Sequence, residues 1–286
     1  AVAVAEKMKM PQVVIGLTIV AMGTSMPEFC VSLISALKGT TDLAVGNIVG
    51  SNIFNALLIV GVSALVAPMT ILETTVRKDI PFALVASALL LIMCLDGNIS
   101  RLDAGVLFAM FLVFMYTTLK GAKKQGAQEA AAVEAEGKRP TATWLSVVWI
   151  LIGLLCLIGG SNLFVEGATA VATNLGVSEA VIGLTIVAGG TSLPELATSV
   201  VSARKGNSGI AIGNALGSNV FNILAILGIT GMITPMTLKG ITYIDLSMLV
   251  ISIMLVWLFS FTKYKIERWE GAVLTAVFVG YIYSLL

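Results

Sequence analysis

The sequence predicts an all-α polytopic membrane protein built from two inverted five-helix repeats. Three observations predict this class: an apolar composition, nine apolar stretches long enough to cross a bilayer, and a duplicated segment whose copies cross in opposite directions. Apolar residues make up 57% of the 286 residues and charged residues only 12%, with a mean hydropathy of +0.99. Soluble domains carry about 25% charged residues, so the chain belongs in a membrane. The net charge of +1 gives no reason to expect a nucleic-acid partner.

A helix that crosses a bilayer needs about 17–25 apolar residues. We predict spans near 11–37, 43–67, 80–95, 102–119, 144–166, 177–203, 209–234, 241–262 and 269–286. The polar stretch 120–143 separates the fourth span from the fifth, and its composition predicts a linker that is partly helical or disordered. The chain is thereby divided into a first membrane repeat (1–119), a linker (120–143) and a second membrane repeat (144–286).

The distribution of basic residues predicts the orientation. All but three of the seventeen lysines and arginines fall on the linker's side of the membrane, and the exceptions are Lys38, Arg101 and Lys239. Cytoplasmic loops are enriched in these residues, so we expect linker 120–143 to be cytoplasmic. The location we expect is the cell membrane, plasma or inner.

An internal duplication accounts for the recurrence of "GTSMPE" (23–28) as "GTSLPE" (190–195). Residues 14–61 align without a gap with 181–228, at an offset of 167, and 29 of the 48 positions are identical. The helices that carry Asn47 and Asn214 are five spans apart, and an odd separation means opposite directions through the membrane. Inverted repeats of this kind are typical of transporters, with the binding site near the midplane.

The same alignment leaves one helix without a partner. Residues 1–10 align with 168–177, so the leading helix of the second copy, about 144–166, has no equivalent in the first. Residue 1 is alanine. We expect that an opening helix of about 20 residues or more is absent from this sequence, and that the intact protein has ten spans.

Two glutamates stand in the middle of predicted spans, Glu28 in the first copy and Glu195 in the second. A carboxylate at the centre of a membrane helix is unfavourable by about 2.5–3.5 kcal/mol on insertion scales. The sequence has no histidine and places no lysine or arginine mid-span. A mobile cation is therefore the predicted compensating charge.

Further oxygen-bearing side chains share helix faces with these glutamates. Residues four apart lie on one face of a helix, which groups Thr24 with Glu28, and Asn47 with Ser51 and Asn55. The second copy repeats the pattern with Thr191 and Glu195, then Asn214, Ser218 and Asn222. A ligand set of oxygens alone favours hard cations such as Ca²⁺, Mg²⁺ and Na⁺.

Pro27 and Pro194 predict a break in each helix beside its glutamate. Proline has no N–H for the carbonyl four residues earlier, and its ring opens the turn. Irregular backbone at membrane depth is tolerated where it lines a cavity, so the carbonyls of the loosened turn are candidate ligands. Gly46, Gly50 and their copies predict close helix approach.

The remaining polar residues and the thiols suggest structural roles. Asn47 and Asn214 are predicted to support the ligands or to pack beside them. Asn52 and Asn219 fall off the ligand face and are predicted to make helix-packing hydrogen bonds. The cysteines lie in apolar runs and are interpreted as buried thiols; they are Cys30, Cys94 and Cys156. Seven carboxylates at span ends are predicted to be interfacial; they are Asp42, Glu73, Asp79, Asp96, Asp103, Glu166 and Asp245.

The motif pairs "GTSMPE"/"GTSLPE" and "GNIVGSNIFN"/"GNALGSNVFN" resemble the two alpha repeats of the sodium/calcium exchangers, within the cation/calcium antiporter superfamily. The resemblance covers the chain apart from the missing first helix. It implies the ten-helix exchanger fold and the exchange of cytosolic Ca²⁺ for external Na⁺ by alternating access. It implies no cofactor and no enzymatic activity, with Ca²⁺ and Na⁺ as the transported ions.

The resemblance also implies roles for individual residues. The Ca²⁺ position would use the carboxylates of Glu28 and Glu195 and the carbonyls of Thr24 and Thr191. The flanking Na⁺ positions would use side chains of Ser25, Ser51, Ser192 and Ser218 and carbonyls of Ala21 and Ala188. Asn55 and Asn222 would lie at the centre. Some potassium-dependent relatives carry aspartate where Asn222 stands, which argues against potassium co-transport here.

Three other functions compete with Na⁺/Ca²⁺ exchange. Exchange of H⁺ for Ca²⁺, or transport of another divalent ion, is the alternative within the same superfamily. A passive cation channel is compatible with the ligands, although inverted copies favour alternating access. An intramembrane enzyme is disfavoured, because the sequence has no histidine, no mid-span lysine for a Ser/Lys dyad and no pair of mid-span aspartates.

Overall fold

The computed structural model describes residues 11–134, 143–261 and 263–285. The described chain is predominantly helical and also contains four strands of two residues each. The helices are α1 (Gln12–Thr24), α2 (Met26–Leu37), α3 (Thr41–Val66), α4 (Thr75–Asp96), α5 (Arg101–Glu134), α6 (Thr143–Asn174), α7 (Glu179–Thr191), α8 (Leu193–Arg204), α9 (Ser208–Ile233), α10 (Tyr243–Ser260) and α11 (Arg268–Leu285). The strands are β1 (Met69–Thr70), β2 (Asn98–Ile99), β3 (Met236–Thr237) and β4 (Lys265–Ile266).

The long apolar helices coincide with the predicted spans. Among the described residues, five helices are long and apolar enough to cross a membrane, and seven are if each of the bent pairs α1–α2 and α7–α8 counts as one span. The other two predicted spans fall on α6 and α11. Helix α5 continues to Glu134, into the predicted linker, because residues 120–134 are rich in Ala, Gln, Glu and Lys, which favour helix. The start of the first predicted repeat (1–10) and linker residues 135–142 lie outside the described residues.

Each bent pair of helices breaks at a single serine. Ser25 separates α1 from α2 and Ser192 separates α7 from α8, with a bend of 46° in each pair. The proline two residues later lies in the first turn of the second helix, where its missing N–H is not needed. The prediction that Pro27 and Pro194 break their helices is confirmed.

The short strands join the two repeats to each other. Strand β1 pairs with β4 and β2 pairs with β3, both antiparallel. Beside them, the Ile71 N–H donates to the Tyr264 carbonyl and the Leu238 N–H to the Gly97 carbonyl, each at 2.8 Å. The two hydrogen bonds are equivalent under the duplication: an offset of 167 converts Ile71 into Leu238 and Tyr264 into Gly97. This is the symmetry expected of inverted repeats.

Aromatic contacts follow the same symmetry between the last helix of one repeat and the central helix of the other. Phe54 on α3 packs edge-on against Phe278 on α11, with ring centroids 5.4 Å apart. Phe221 on α9 packs in the same way against Phe111 on α5, at 5.7 Å. The two repeats therefore interlock instead of forming separate domains.

Helices α3 and α9 form the centre of the protein. Within their most apolar windows 83% of residues are buried, against 22–39% for α4, α5 and α10. Glycine permits their close crossings: a Cβ on Gly50 would lie 2.7 Å from the Ala188 Cβ on α7, and one on Gly217 would lie 2.8 Å from the Ala21 Cβ on α1. Each central helix thus crosses the broken helix of the other repeat, which brings both sets of predicted ligands together.

The predictions made for Cys30, Cys156 and Glu166 are wrong. Cys94 is buried as predicted, whereas Cys30 and Cys156 are exposed on the protein surface, because an apolar run in a membrane protein also covers lipid-facing positions. Asp245 lies in the first turn of its helix, at a span end as predicted, and is only 2% exposed. Glu166 is not at a span end, since α6 continues to Asn174.

Candidate cation-binding site

Each helix break places a glutamate in the first turn of the helix that follows. Glu28 is the third residue of α2 and Glu195 the third of α8, and both are 0% exposed. The free N–H groups and the macrodipole make the start of a helix favourable for negative charge. The break therefore gives a buried carboxylate partial compensation that the middle of a continuous helix would not.

The serine at each break contacts the glutamate of the other repeat. Ser25 Oγ donates to Glu195 Oε1 at 2.8 Å, and Ser192 Oγ donates to Glu28 Oε1 at 2.8 Å. All four side chains are fully buried. The two breaks consequently face each other across the repeat boundary and form a single site.

Two asparagines connect the glutamate of one repeat to a threonine of the other. Asn47 connects Glu28 to Thr191, and Asn214 connects Glu195 to Thr24. Asn47 Nδ2 donates to the Glu28 carbonyl at 3.3 Å, while its Oδ1 accepts from Thr191 Oγ1 at 3.1 Å. Asn214 repeats this with the Glu195 carbonyl at 3.2 Å and Thr24 Oγ1 at 3.2 Å. Both asparagines are predicted packing residues, and the structure places them in the hydrogen-bond network of the glutamates.

Ser51 and Ser218 reach the same region from the central helices, with different partners. Ser51 Oγ donates to the Ala188 carbonyl and Ser218 Oγ to Glu195 Oε1, both at 3.4 Å. The Ala21 and Ala188 carbonyls also lie 3.3 Å from the hydroxyl oxygens of Thr24 and Thr191, respectively. The predicted serine and alanine ligands thus line the space around the glutamates.

The backbone of these segments is wound more loosely than an α-helix. π-helical turns precede the two alanines at Gly16–Val20 and Gly183–Val187, and contain the two central asparagines at Phe54–Ile59 and Phe221–Ile226. Such turns are rare in proteins, and those that occur are often found at functional sites. They occur here in symmetric pairs, as the helix breaks do.

The asparagine layer below the glutamates is asymmetric. Asn219 Nδ2 donates to the Asn52 carbonyl and Asn222 Nδ2 to Asn52 Oδ1, each at 3.2 Å. These bonds cross between α3 and α9, so the predicted packing role of Asn52 and Asn219 is confirmed. Asn55 is fully buried, and neither its Oδ1 nor its Nδ2 has a partner in the described part of the chain.

The second carboxylate oxygens of the two glutamates are the candidate ligand atoms for a cation. Within the described ranges, Oε2 of Glu28 and Oε2 of Glu195 are buried without a hydrogen-bond partner. The two ion pairs found among the described residues, Arg77–Glu73 and Lys265–Glu267, involve neither glutamate. Two buried carboxyl groups with free oxygens, and with no basic partner in the described ranges, require neutralisation by a cation or a proton, since burying an uncompensated charge is strongly unfavourable.

Sequence reasoning missed Ser32 and Ser199. Ser32 Oγ accepts from Asn47 Nδ2 at 2.9 Å and donates to the Ala44 carbonyl at 3.1 Å. Ser199 makes the equivalent bonds with Asn214 at 3.0 Å and the Ala211 carbonyl at 3.3 Å. A signal was present, because both serines are identical in the duplication and lie four residues after a glutamate, on the same helix face.

Comparison with known proteins agrees with this geometry. A family profile described as "Sodium/calcium exchanger protein" matches residues 1–120 and 145–286. The chain is 37% identical over 289 residues to the "Putative antiporter CaxA" of Alkalimonas amylolytica, covering 99% of this chain and 90% of that protein. It is also 37% identical over 285 residues to the "Inner membrane protein YrbG" of Escherichia coli K12, covering 96% and 86%.

An archaeal relative and a solved structure extend the comparison. The "Sodium/calcium exchanger MaX1" of Methanosarcina acetivorans is 30% identical over 319 residues, covering 99% of this chain and 91% of that protein. The structure of the sodium-calcium exchanger NCX_Mj soaked with Na⁺ and Ca²⁺ superimposes with a TM-score of 0.81 at 30% identity, covering 99% of this chain and 90% of that chain. The similarity therefore extends across both repeats.

Proposed function

Since this chain belongs to the sodium/calcium exchanger family, a family of integral membrane transporters, we propose that it is an antiporter exchanging Na⁺ for Ca²⁺ by alternating access. The observation that carries the proposal is the pair of buried glutamates, each with one oxygen held by a serine of the other repeat and one oxygen free. Two carboxylates that face each other in a site of oxygens alone suit a hard divalent cation.

In this proposal Ca²⁺ binds between Glu28 and Glu195 and takes further ligands from the carbonyls of Thr24 and Thr191. Ca²⁺ is coordinated by six to eight oxygens in flexible geometry, and carbonyls at a helix break are suited to complete such a shell. Na⁺ binds on either side, using Ser25 and Ser51 together with Ser192 and Ser218. The Ala21 and Ala188 carbonyls complete these positions, and Asn55 and Asn222 border the centre.

The number of oxygen positions supports exchange of three Na⁺ for one Ca²⁺. The two glutamates contribute two negative charges, and the central asparagines contribute none. One Ca²⁺ neutralises this site, whereas three Na⁺ leave it with one positive charge. Two Na⁺ would also neutralise the site, but the serines and carbonyls provide one Na⁺ position on each side of the glutamates, and the centre beside Asn55 and Asn222 provides a third. Each cycle then moves one net positive charge in the direction of Na⁺, and transport is electrogenic.

The inverted repeats provide the two states that antiport needs. Each repeat contributes one helix break, one glutamate and one central helix, so a symmetric exchange of conformations opens the same site to either side. The excess of basic residues on the linker side supports a cytoplasmic linker and a position in the cell membrane. Na⁺ entry then drives Ca²⁺ extrusion. Asn222, which brings no charge, supports transport without potassium.

Competition binding tests whether one site serves both ions. Ca²⁺ binding to the detergent-solubilised protein is measured by calorimetry in choline buffer and then with increasing Na⁺. Na⁺ is expected to displace Ca²⁺ steeply, with more than one Na⁺ per Ca²⁺, and K⁺ at equal ionic strength is expected to have no effect. Displacement by protons but not by Na⁺ would instead favour H⁺/Ca²⁺ exchange.

A further inference from the structure

Two closed rings of hydrogen bonds hold the glutamates. In the first, Ser192 Oγ donates to Glu28 Oε1, and the adjacent Thr191 Oγ1 donates to Asn47 Oδ1. Asn47 Nδ2 then returns to the backbone carbonyl of Glu28. The peptide bond between Thr191 and Ser192 closes the ring, which therefore contains two residues of each repeat.

The second ring is the symmetric copy of the first, except that Thr24 Oγ1 also lies 3.1 Å from the Val20 carbonyl of its own helix. Ser25 Oγ donates to Glu195 Oε1, Thr24 Oγ1 donates to Asn214 Oδ1, and Asn214 Nδ2 donates to the Glu195 carbonyl. The two rings share no residue. Each fixes one glutamate at both its side chain and its backbone.

We infer that Asn47 and Asn214 are positioning residues that set the affinity of the site for its cation, each through the threonine of the opposite repeat. This inference rests on the proposed function, because it assumes that Glu28 and Glu195 bind Ca²⁺. Asn47 is 0% exposed, its Nδ2 makes two hydrogen bonds and its Oδ1 accepts one. Asn214 makes the same three bonds. The side-chain amides of both asparagines therefore hydrogen-bond to groups of the protein.

The position of the asparagine explains how it acts on the ion. Thr191 lies next to the break, and its carbonyl is a proposed Ca²⁺ ligand. Asn47 ties the hydroxyl of this residue to the backbone of Glu28, so the carbonyl and the carboxylate are held in one arrangement before the ion arrives. Without the tie, ordering these groups must accompany ion binding, and such ordering reduces affinity.

A double-mutant cycle tests the connection between Asn47 and Thr191. The two rings allow the same asparagine variant to be combined with a threonine variant in its own ring or in the other ring. Asn47→Ala and Thr191→Val remove two ends of one hydrogen bond. Asn47→Ala and Thr24→Val remove groups in different rings. The change in Ca²⁺ affinity of the purified full chain is measured by calorimetry for each single and double variant. Residues that share a bond show coupling, and residues without shared partners show additive effects.

We expect each single variant to bind Ca²⁺ about fivefold more weakly, the factor that corresponds to one net hydrogen bond of about 1 kcal/mol. The double variant within one ring should bind no more weakly than Asn47→Ala alone. The double variant across the two rings should show the product of both losses, about 25-fold. Ser87→Ala is the control, because among the described residues this buried hydroxyl donates only to Ala83 of its own helix. The Ca²⁺ affinity of this variant should not change.

Each outcome decides the inference. Equal coupling in the two combinations, or full additivity within one ring, overturns it while the proposed function stands. A wild-type protein that binds no Ca²⁺ overturns the proposed function and this inference with it. If Asn47→Ala does not fold by gel filtration, the mirror cycle decides in its place, with Asn214→Ala combined with Thr24→Val inside one ring and with Thr191→Val across both.

Discussion

Ser25 of the first repeat donates a 2.8 Å hydrogen bond to Glu195 of the second. The symmetric bond from Ser192 to Glu28 has the same length. Because each carboxylate depends on a serine from the other half of the chain, neither repeat forms a complete site alone. A movement that separates the repeats must therefore change both carboxylates together, as alternating access to a shared site requires.

Replacing either glutamate with glutamine tests its role as a ligand. Glu28→Gln and Glu195→Gln keep the size of the side chain and remove one negative charge. Since the charge of the ligand set governs Ca²⁺ affinity, we expect Ca²⁺ uptake into proteoliposomes to fall by about tenfold or more in each variant. Uptake is measured with ⁴⁵Ca²⁺ at equal amounts of reconstituted protein.

The control for these variants is Glu179→Gln. Glu179 also lies in the first turn of a helix, but its side chain is exposed. Its replacement should leave uptake unchanged. Normal uptake by both site variants would place the Ca²⁺ ligands elsewhere.

Close helix crossing makes Gly50 intolerant of a side chain. A Cβ there would meet the Leu184 carbonyl and would lie 2.7 Å from the Ala188 Cβ. Because overpacking of a tight interface is unfavourable by about 1–3 kcal/mol, Gly50→Ala should lower the melting temperature in detergent and reduce transport. Gly105→Ala is the matched control, since no atom of the described part of the chain lies within 4 Å of its added Cβ. Equal melting temperatures for the two variants would contradict the crossing.

A buried tyrosine and aspartate connect α10 with α11 outside the site. Tyr281 donates to Asp245 Oδ1 at 2.8 Å, and Asp245 Oδ2 caps its own helix through Thr242. Tyr281→Phe leaves a buried carboxylate oxygen without a donor, so we expect a loss of about 1–3 kcal/mol in stability and a lower melting temperature. Tyr283→Phe, at a residue 82% exposed, should melt like the wild type. The reverse order would contradict the buried contact.

Electrogenic exchange is the expected consequence of two glutamates combined with the three proposed Na⁺ positions. Moving one charge through 100 mV corresponds to about 2.3 kcal/mol. In liposomes with opposing Na⁺ and Ca²⁺ gradients, Ca²⁺ uptake should therefore change steeply with a clamped membrane potential. Flux that is independent of voltage, or a reversal potential that fits two Na⁺ per Ca²⁺, would contradict this stoichiometry.

The duplication and the buried polar residues could be predicted because polar residues in an apolar run are a strong signal. Glu28 and Glu195 are charged residues within apolar runs, and the offset of 167 shows that they occupy equivalent positions. Equivalent positions do not reveal which residues contact each other, however. Nothing in the sequence indicates that Ser25 bonds to Glu195 and not to Glu28 of its own repeat, since that depends on how the helices cross.

The π-helical turns and the role of Asn47 were also beyond sequence reasoning. Residues in Phe54–Ile59 have no propensity that separates a π-helix from an α-helix, and tertiary packing decides between them. The spacing of Asn47 with Ser51 and Asn55 predicted a shared helix face. The bonds of Asn47 to Glu28 and Thr191 could not be predicted in this way, because they depend on the positions of two neighbouring helices.

Na⁺-driven Ca²⁺ uptake tests the central claim most directly. Proteoliposomes loaded with Na⁺ are diluted into Na⁺-free buffer with ⁴⁵Ca²⁺, and the same liposomes are compared after a Na⁺ ionophore and with a pH gradient in place of the Na⁺ gradient. We expect Ca²⁺ to accumulate only while the outward Na⁺ gradient persists, and to fall to background in Glu28→Gln. Accumulation driven by the pH gradient alone, or no uptake by folded and reconstituted protein, would contradict Na⁺/Ca²⁺ exchange.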